Sequence, residues 1–223
     1  MLTKEEKSSR INETSITVDR AFYENHINYK VQMYNQLKNI IDLFIAIIGL
    51  IITSPILILT AIAIKIESKG SVFYAQERVG IHGNTFKVLK LRSMAMGAEK
   101  NGAQWATDND PRVTKVGKFI RKTRIDEIPQ FLNIIIGDMS LIGPRPERPI
   151  FTAEFNREIP GFVNRLSVKP GLTGWAQVNG GYDITPREKL QLDIEYIKNM
   201  NLLLDMKIIL LTIKTVLTGN GAR

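Results

Sequence analysis

Asp126 and Glu127 are adjacent acids, preceded by Arg121, Lys122 and Arg124 and followed by Pro129, with Pro144-Arg145-Pro146 further along the chain. The stretch Arg121 to Arg148, RKTRIDEIPQFLNIIIGDMSLIGPRPER, holds the densest concentration of potential chemistry in the sequence. A carboxylate flanked by cations tends to stay ionised at neutral pH, and an ionised carboxylate can act as a nucleophile or hold a hard divalent cation. The cations need an anion, and an arginine in a stiff proline-rich loop suits the fork of a phosphate. The same acids before a proline also suit a helix start, where they complement the macrodipole and cap free amides. The dipeptide alone leaves both readings open.

Composition narrows the partners. The chain has 223 residues and a formal net charge of +8, enough for one domain with an appendage and basic enough to favour nucleic acid, an acidic bilayer or a phosphorylated substrate. It has no cysteine and two histidines, His26 and His82. Thiolate sites are thereby excluded, and a metal would be an oxygen-bound Mg²⁺ or Mn²⁺ rather than zinc.

Several elements must position these residues. Residues 1–37 are polar and lack an apolar signal-peptide run, which reads as a flexible extension or a short surface helix. Ile40 to Ile66 is apolar except for Asp42, Thr53, Ser54, Thr60 and Lys65; as a helix it would be roughly 40 Å long against a hydrocarbon layer of about 30 Å. Ser54-Pro55 at its centre predicts a kink, with the serine hydroxyl serving a freed carbonyl. Lys30 and Lys38 before it and Lys65 and Lys69 after it give no orientation by charge, so a kinked transmembrane helix and a re-entrant hairpin both fit.

Gly70 to Met94 predicts a β-hairpin turning at Gly80 to Asn84, with Lys90 and Arg92 on one face, either as guards of a strand edge or as a pair aimed at a phosphate. Ala95 to Asn109 reads as a loop, and Asp110-Pro111 as the cap of a basic helix leading into the acidic pair. A short apolar helix is expected from about Glu127 to Ile136, and another over Phe151 to Phe162. Lys169 to Trp175 reads as a turn-rich loop, Thr185-Pro186-Arg187-Glu188 as a capping box, and Leu202 to Leu217 as an amphipathic helix for the bilayer interface or for the protein's own core.

The segments GSVFYAQERVG, FKVLKLRSM, DPRVTKVGKFIRKTRIDEIPQFLNIIIGDMSLIGPRPE and KPGLTGWAQVNG, with the DIEYI helix and the TGNGA ending, carry a resemblance. From about Lys38 to the C-terminus the chain resembles the monotopic polyprenyl-phosphate glycosyl-1-phosphate transferases of the bacterial sugar transferase family. The resemblance implies an α+β, mostly helical fold: a polar extension over 1–37, a re-entrant membrane helix-break-helix over 38–68, and a cytoplasmic catalytic domain over 69–223 with a small β-hairpin and several interfacial amphipathic helices. It places the protein monotopically on the cytoplasmic face of the bacterial inner membrane. It implies that Asp126 attacks the sugar-bearing phosphorus of a UDP-sugar, releasing UMP, and that polyprenyl (undecaprenyl) phosphate then takes the phosphosugar, the first membrane step of polysaccharide or glycoconjugate synthesis. Glu127 would assist, and Mg²⁺ (or Mn²⁺) would bind at Asp126 with Glu127.

By position in the same motifs, Lys90, Arg92, Arg121 and Arg145 would bind phosphate, Pro144 and Pro146 would shape the nucleotide loop, and Trp175 and Gln177 are candidate substrate contacts. Implied partners are the UDP-sugar, polyprenyl phosphate and a bilayer with anionic lipids, with downstream glycosyltransferases and a homodimeric second copy as further candidates, and no nucleic acid. Asn179 to Thr185 is a candidate sugar-selecting segment. The chain departs from the pattern at Asn39, where the family usually has arginine after lysine, and it lacks the extra transmembrane helices of the larger family branch. Two competitors remain: a non-enzymatic membrane adaptor on this scaffold, and a nucleic-acid binder, for which no interleaved aromatic platform is visible.

Overall fold

The computed structural model describes residue 16 and residues 18–27, 29–98, 110–180 and 184–218. The described part of the polar N-terminal stretch packs on the body of the protein: Ile16 and Val18 lie against Val79, Val163 and Leu166. Helix α1 (Arg20–His26) follows, capped by Asp19, whose side chain accepts from the Ala21 amide. The backbone amide of Asp19 donates to Asn164 Oδ1 at 3.1 Å, tying this end down.

Helix α2 (Tyr29–Glu67) is 39 residues long, about 60 Å at 1.5 Å per residue, and begins well before Lys38. It is the one helix among the described residues long and apolar enough to cross a membrane, and its apolar stretch is mostly exposed. The expected helix-break-helix is not two helices: α2 stays helical through Pro55. The repair is local. Pro55 lacks the amide that would reach the Ile51 carbonyl, and Ser54 Oγ donates to that carbonyl at 2.8 Å. Thr53 Oγ1 also donates to the Gly49 carbonyl one turn back, at 2.6 Å.

Both ends of α2 touch the same body of protein. Near its start, buried Lys38 pairs with Asp205 at 2.8 Å and with Asp42 at 3.6 Å, Tyr34 Oη donates to Asp205 at 2.6 Å, and Ser140 Oγ donates to Asp42. At its far end Ile64 packs with Leu91 and Ile120, and the Glu67 carboxylate accepts from the Lys115 and Val116 amides at 2.8 and 3.1 Å. Between them Phe131 lies so close to Gly49 that a Cβ there would meet its ring at 2.9 Å.

The hairpin forms as read. Strands β1 (Phe73–Val79) and β2 (Thr85–Leu91) pair antiparallel, with Tyr74 opposite Lys90 and Val79 opposite Thr85. Helices α3 (Lys115–Lys122) and α4 (Gln130–Ile135) flank the acidic pair. Asp110 does not start α3: its carboxylate is taken by the Arg112 guanidinium, and Thr114 caps the helix instead by accepting from the Gly117 amide at 2.9 Å. Strand β3 (Ser140–Ile142) pairs in parallel with β4 (Gly171–Thr173), a strand inside the stretch expected to be only a loop. Around this ladder stand α5 (Pro149–Glu158), α6 (Trp175–Gly180), α7 (Pro186–Asn199) and α8 (Leu202–Thr218). The main core joins Met139, Leu141, Ile142, Tyr196, Ile197 and Ile208, so β3, α7 and α8 share one apolar centre.

Candidate active site

The route into the site is set by one residue of unusual backbone. Arg124 has φ 56°, a left-handed conformation that costs a non-glycine residue about 1 kcal/mol or more. It reverses the chain after α3 and delivers a 3₁₀ turn, Ile125–Glu127, in which both acids are buried. Asn133 on α4, fully buried, then mimics a strand: its amide accepts from Leu89 N at 2.9 Å and donates to Lys87 O at 2.8 Å. This double bond locks α4 to β2 and brings Lys90 to the acidic pair.

The two acids have different surroundings. Glu127 Oε1 is 3.0 Å from Lys90 Nζ and 2.5 Å from Arg145 Nη2, and its Oε2 is 3.8 Å from Arg124 Nη1. Burial alone would raise its pKa, but Arg145 and Lys90, with Arg124 behind them, outweigh that and hold the carboxyl well below its usual range. No side chain among the described residues donates a hydrogen bond to Asp126 or forms an ion pair with it. Burial, reinforced by the charge of Glu127, therefore pushes Asp126 up to about 6, against the pull of Lys90, Arg121 and Arg145. One carboxylate is neutralised by neighbours; the other is ionised at neutral pH, open and poorly solvated.

The remaining expected site residues divide. Arg121 stands by the pair electrostatically and is held by Ser93, its Nε donating to Oγ at 2.8 Å. Arg92 turns elsewhere: it is buried, and its guanidinium donates to the Lys69 and Ser68 carbonyls at 2.5 and 2.9 Å, closing the C-terminal end of α2. Trp175 and Gln177 lie on α6, where Lys207 Nζ sits 5.0 Å over the indole ring and Gln177 Nε2 donates to Leu172 O at 3.0 Å. Neither hydrogen-bonds to the acidic pair. Trp175 Nε1 and Gln177 Oε1 are buried and without a partner among the described residues. Residues 181–183 of the candidate sugar-selecting segment and 99–109 of the expected loop lie outside the described residues.

The Pro144-Arg145-Pro146 loop is fixed to the β3/β4 ladder through glycines. A Cβ at Gly143 would lie 2.4 Å from Lys169 O, at Gly171 2.1 Å from Gly143 N, and at Gly174 2.1 Å from Gly143 O. Only hydrogen-sized side chains let the GPRPE and KPGLTGW segments approach so closely. Gly143→Ala is accordingly expected to separate the two strands and destabilise the fold by about 2 kcal/mol or more, read as a lowered melting temperature.

A divalent cation has a partial donor set here. Among the described residues no three acids or histidines converge, so these residues form no protein cage for an ion. The open carboxylate of Asp126 fits an octahedral ion that takes its other ligands from water and substrate phosphates, whereas Glu127 Oε1 is already shared by two cations.

The residues missed by sequence reading lie behind the loop: Arg165, buried and paired with buried Asp193, and Glu147, bridging Lys189 at 2.7 Å and Arg78 at 3.8 Å. Asp193 had a readable signal. It falls on the apolar stripe of Leu190, Ile194 and Ile197, where an acid demands a buried partner.

Comparison with known proteins places the sequence in a family. Residues 33–219 match the family model described as bacterial sugar transferase. The chain is 50% identical over 195 residues to the UDP-N-acetylgalactosamine-undecaprenyl-phosphate N-acetylgalactosaminephosphotransferase of Aeromonas hydrophila, covering 86% of this chain and 46% of that protein. A Bacillus subtilis (strain 168) protein, provisionally named an undecaprenyl-phosphate N-acetylgalactosaminyl 1-phosphate transferase, is 50% identical over 159 residues, 69% of this chain and 89% of its own length. The UDP-glucose:undecaprenyl-phosphate glucose-1-phosphate transferase of Escherichia coli (strain K12) is 41% identical over 182 residues, 79% of this chain and 39% of that protein. The chain thus spans less than half of the Aeromonas and Escherichia relatives and most of the Bacillus one. With the match running through the long apolar helix, the acidic pair, the Pro-Arg-Pro loop and the closing helix, the chain belongs to the bacterial sugar transferase family.

Proposed function

We propose that the protein transfers a sugar 1-phosphate from a UDP-sugar to undecaprenyl phosphate in two steps on Asp126. The observation that carries this reading is the contrast within the acidic pair: Glu127 is clamped by Lys90 and Arg145, while Asp126 is buried, open and ionised at neutral pH. A carboxylate in that state is a competent nucleophile. In the first step an Asp126 oxygen bonds to the sugar-bearing phosphorus, the bond from that phosphorus to the bridging oxygen breaks, and UMP leaves with that oxygen. In the second step an oxygen of undecaprenyl phosphate attacks the same phosphorus, the aspartyl bond breaks, and undecaprenyl diphosphate sugar departs with the carboxylate restored.

Lys90, Arg121 and Arg145 hold the diphosphate charge beside Asp126, and Glu127 keeps Lys90 and Arg145 in place until substrate oxygens compete for them. A Mg²⁺ or Mn²⁺ held by Asp126 would screen the carboxylate from the anionic phosphates and stabilise charge on the leaving UMP. The relatives at 50% identity carry N-acetylgalactosamine in their names and the one at 41% carries glucose, so UDP-N-acetylgalactosamine is the first donor to test.

The bilayer supplies the lipid substrate. Two observations support a monotopic, interfacial placement: both ends of α2 contact one protein body, and α8 exposes Leu203, Met206, Leu210 and Ile213. Cysteines at Glu24 and Lys69 would then both label from the cytoplasmic side, and labelling from opposite sides would exclude a re-entrant α2. The activity test is incubation of the membrane-extracted protein with a panel of UDP-sugars and undecaprenyl phosphate. UMP release is expected, with UDP-N-acetylgalactosamine the best donor. If no donor gives UMP above an Asp126→Asn control, the adaptor reading stands instead.

A further inference from the structure

The loop that carries Arg145 has a problem of its own composition. Pro144 and Pro146 donate no backbone hydrogen bonds, so those two residues can be held by backbone bonding only through their carbonyls. Each carbonyl from 144 to 147 accepts a bond, and the donors come from four separate places in the fold. Gly171 N donates to Pro144 O at 3.0 Å and Val79 N to Glu147 O at 2.9 Å. Between these backbone pegs, Arg165 Nη2 donates to Arg145 O at 2.8 Å and Arg78 Nη1 to Pro146 O at 3.1 Å.

The two middle donors are guanidiniums that are themselves anchored. Arg165 directs Nε and Nη2 at Asp193 Oδ2, at 2.8 and 2.7 Å, and its Cζ lies 5.1 Å over the Phe162 ring. Arg165 and Asp193 are each 1% exposed. Arg78 is braced by Gln76 Oε1 at 2.5 Å and by Glu147 Oε2 at 3.8 Å, and Lys189 holds the other oxygen of Glu147. A buried ion pair adds little net stability over apolar residues of the same shape. This one also spans from α7 to the backbone of the residue whose side chain reaches Glu127, which a purely structural pair would have no need to do.

We propose that Arg165 and Arg78 are positioning residues for Arg145: they fix the backbone of the Pro-Arg-Pro loop so that the Arg145 guanidinium is delivered to Glu127, beside Asp126. Lysine cannot replace Arg165 in this role. The guanidinium secures Asp193 through Nε while Nη2 divides its two N–H bonds between Asp193 and the Arg145 carbonyl; an ammonium has no second nitrogen to hold the carboxylate in place while it reaches the loop. The consequence for catalysis rests on the proposed phosphosugar transfer; the consequence for the loop does not.

The test is a double-mutant cycle in the full chain held in lipid nanodiscs, with Arg165→Lys, Arg78→Met, Arg145→Met and the two doubles containing Arg145→Met. Arg165→Lys and Arg78→Met are each expected to lower kcat/KM for UMP release by about 10- to 100-fold. In the Arg145→Met background the same changes are expected to cost less than about 3-fold, because the residue they act through is gone. Equal losses in both backgrounds would mean a general structural role and would overturn the proposal. Should Arg165→Lys fail to fold, the Arg78→Met arm of the cycle gives the same decision from a less buried site.

A second readout is independent of activity. Hydrogen exchange at the Gly171 and Val79 amides, which hold the loop by donating to the Pro144 and Glu147 carbonyls, is expected to accelerate at least about 10-fold in Arg165→Lys, with β2 and the far end of α7 unchanged. Unchanged exchange at these amides would sink the proposal even if turnover fell. Wild-type protein that releases no UMP from any donor, with exchange at these amides still responding to Arg165→Lys, would instead retire the functional reading and keep the clamp.

Discussion

Asp126→Asn is expected to remove UMP release by at least about 10³-fold and, in the same protein, to raise the melting temperature. The first effect follows from deleting the nucleophile of the proposed reaction: an amide of the same shape neither attacks phosphorus nor accumulates a phosphosugar adduct, so intact-mass measurement with UDP-sugar should show the adduct in wild type and none in the variant. The second follows from the environment. The carboxyl is pushed from 3.8 up to about 6 by burial and by Glu127, so at neutral pH its ionisation opposes folding by on the order of 2–3 kcal/mol. Asparagine carries no such charge.

The sign fixes the pH window. A carboxyl whose folded pKa is raised binds its proton more tightly in the folded state, so the wild type gains stability as pH falls from about 6 towards 4. The gap between variant and wild type should therefore be full above pH 6 and close towards pH 4, measured by thermal melts in detergent across that range. A variant that lost activity but melted at the wild-type temperature at every pH would show that Asp126 is not a buried, unpaired charge.

Much of the fold was legible because local chemistry decided it. Thr185 and Glu188 exchange bonds as a capping box, Glu188 N to Thr185 Oγ1 at 3.2 Å and Thr185 N to Glu188 Oε2 at 2.8 Å. The hairpin turned where glycine and asparagine permitted it, and the closing helix ran from Leu202 to Thr218, almost as patterned. Ser54 served the carbonyl freed by Pro55; what the sequence pattern overstated was the interruption, because a hydroxyl that repairs the bond also lets the helix continue.

What escaped depended on partners distant in the chain. Asp110 looked like a cap, yet Arg112 claimed its carboxylate and the cap passed to Thr114. Three-residue parallel strands such as β3 and β4 are too short to show alternation, and their pairing brings together segments 31 residues apart at Ser140 and Gly171. Lys90 and Arg92 have the spacing of a pair, but Arg92 follows the end of β2, and the Ser68 and Lys69 carbonyls take its guanidinium. For the site, the acidic pair and its cations were readable as types. Which acid would be clamped and which left open was not, since it depends on Lys90 and Arg145 both arriving at Glu127 Oε1.

That asymmetry makes the most discriminating prediction one of opposite shifts. The rate of adduct formation should fall as pH drops below about 6, when Asp126 takes up a proton. Glu127→Gln removes the charge that helps hold the Asp126 pKa up and leaves Lys90, Arg145 and Arg121 with one anion fewer to neutralise them. The acid limb should move to lower pH, although the rate on the plateau falls by about 10²-fold as Arg145 and Lys90 lose their anchor. Lys90→Met removes the strongest of the cations opposing that rise, so its acid limb should move to higher pH, with a comparable loss on the plateau. Single-turnover adduct formation, followed by mass spectrometry from pH 4.5 to 8, about the span in which a carboxyl shifted this far titrates, measures both. Limbs that stay together, or move the same way, would mean that the titrating group is not a carboxylate standing between Glu127 and Lys90, and the assignment of Asp126 as nucleophile would fall with it.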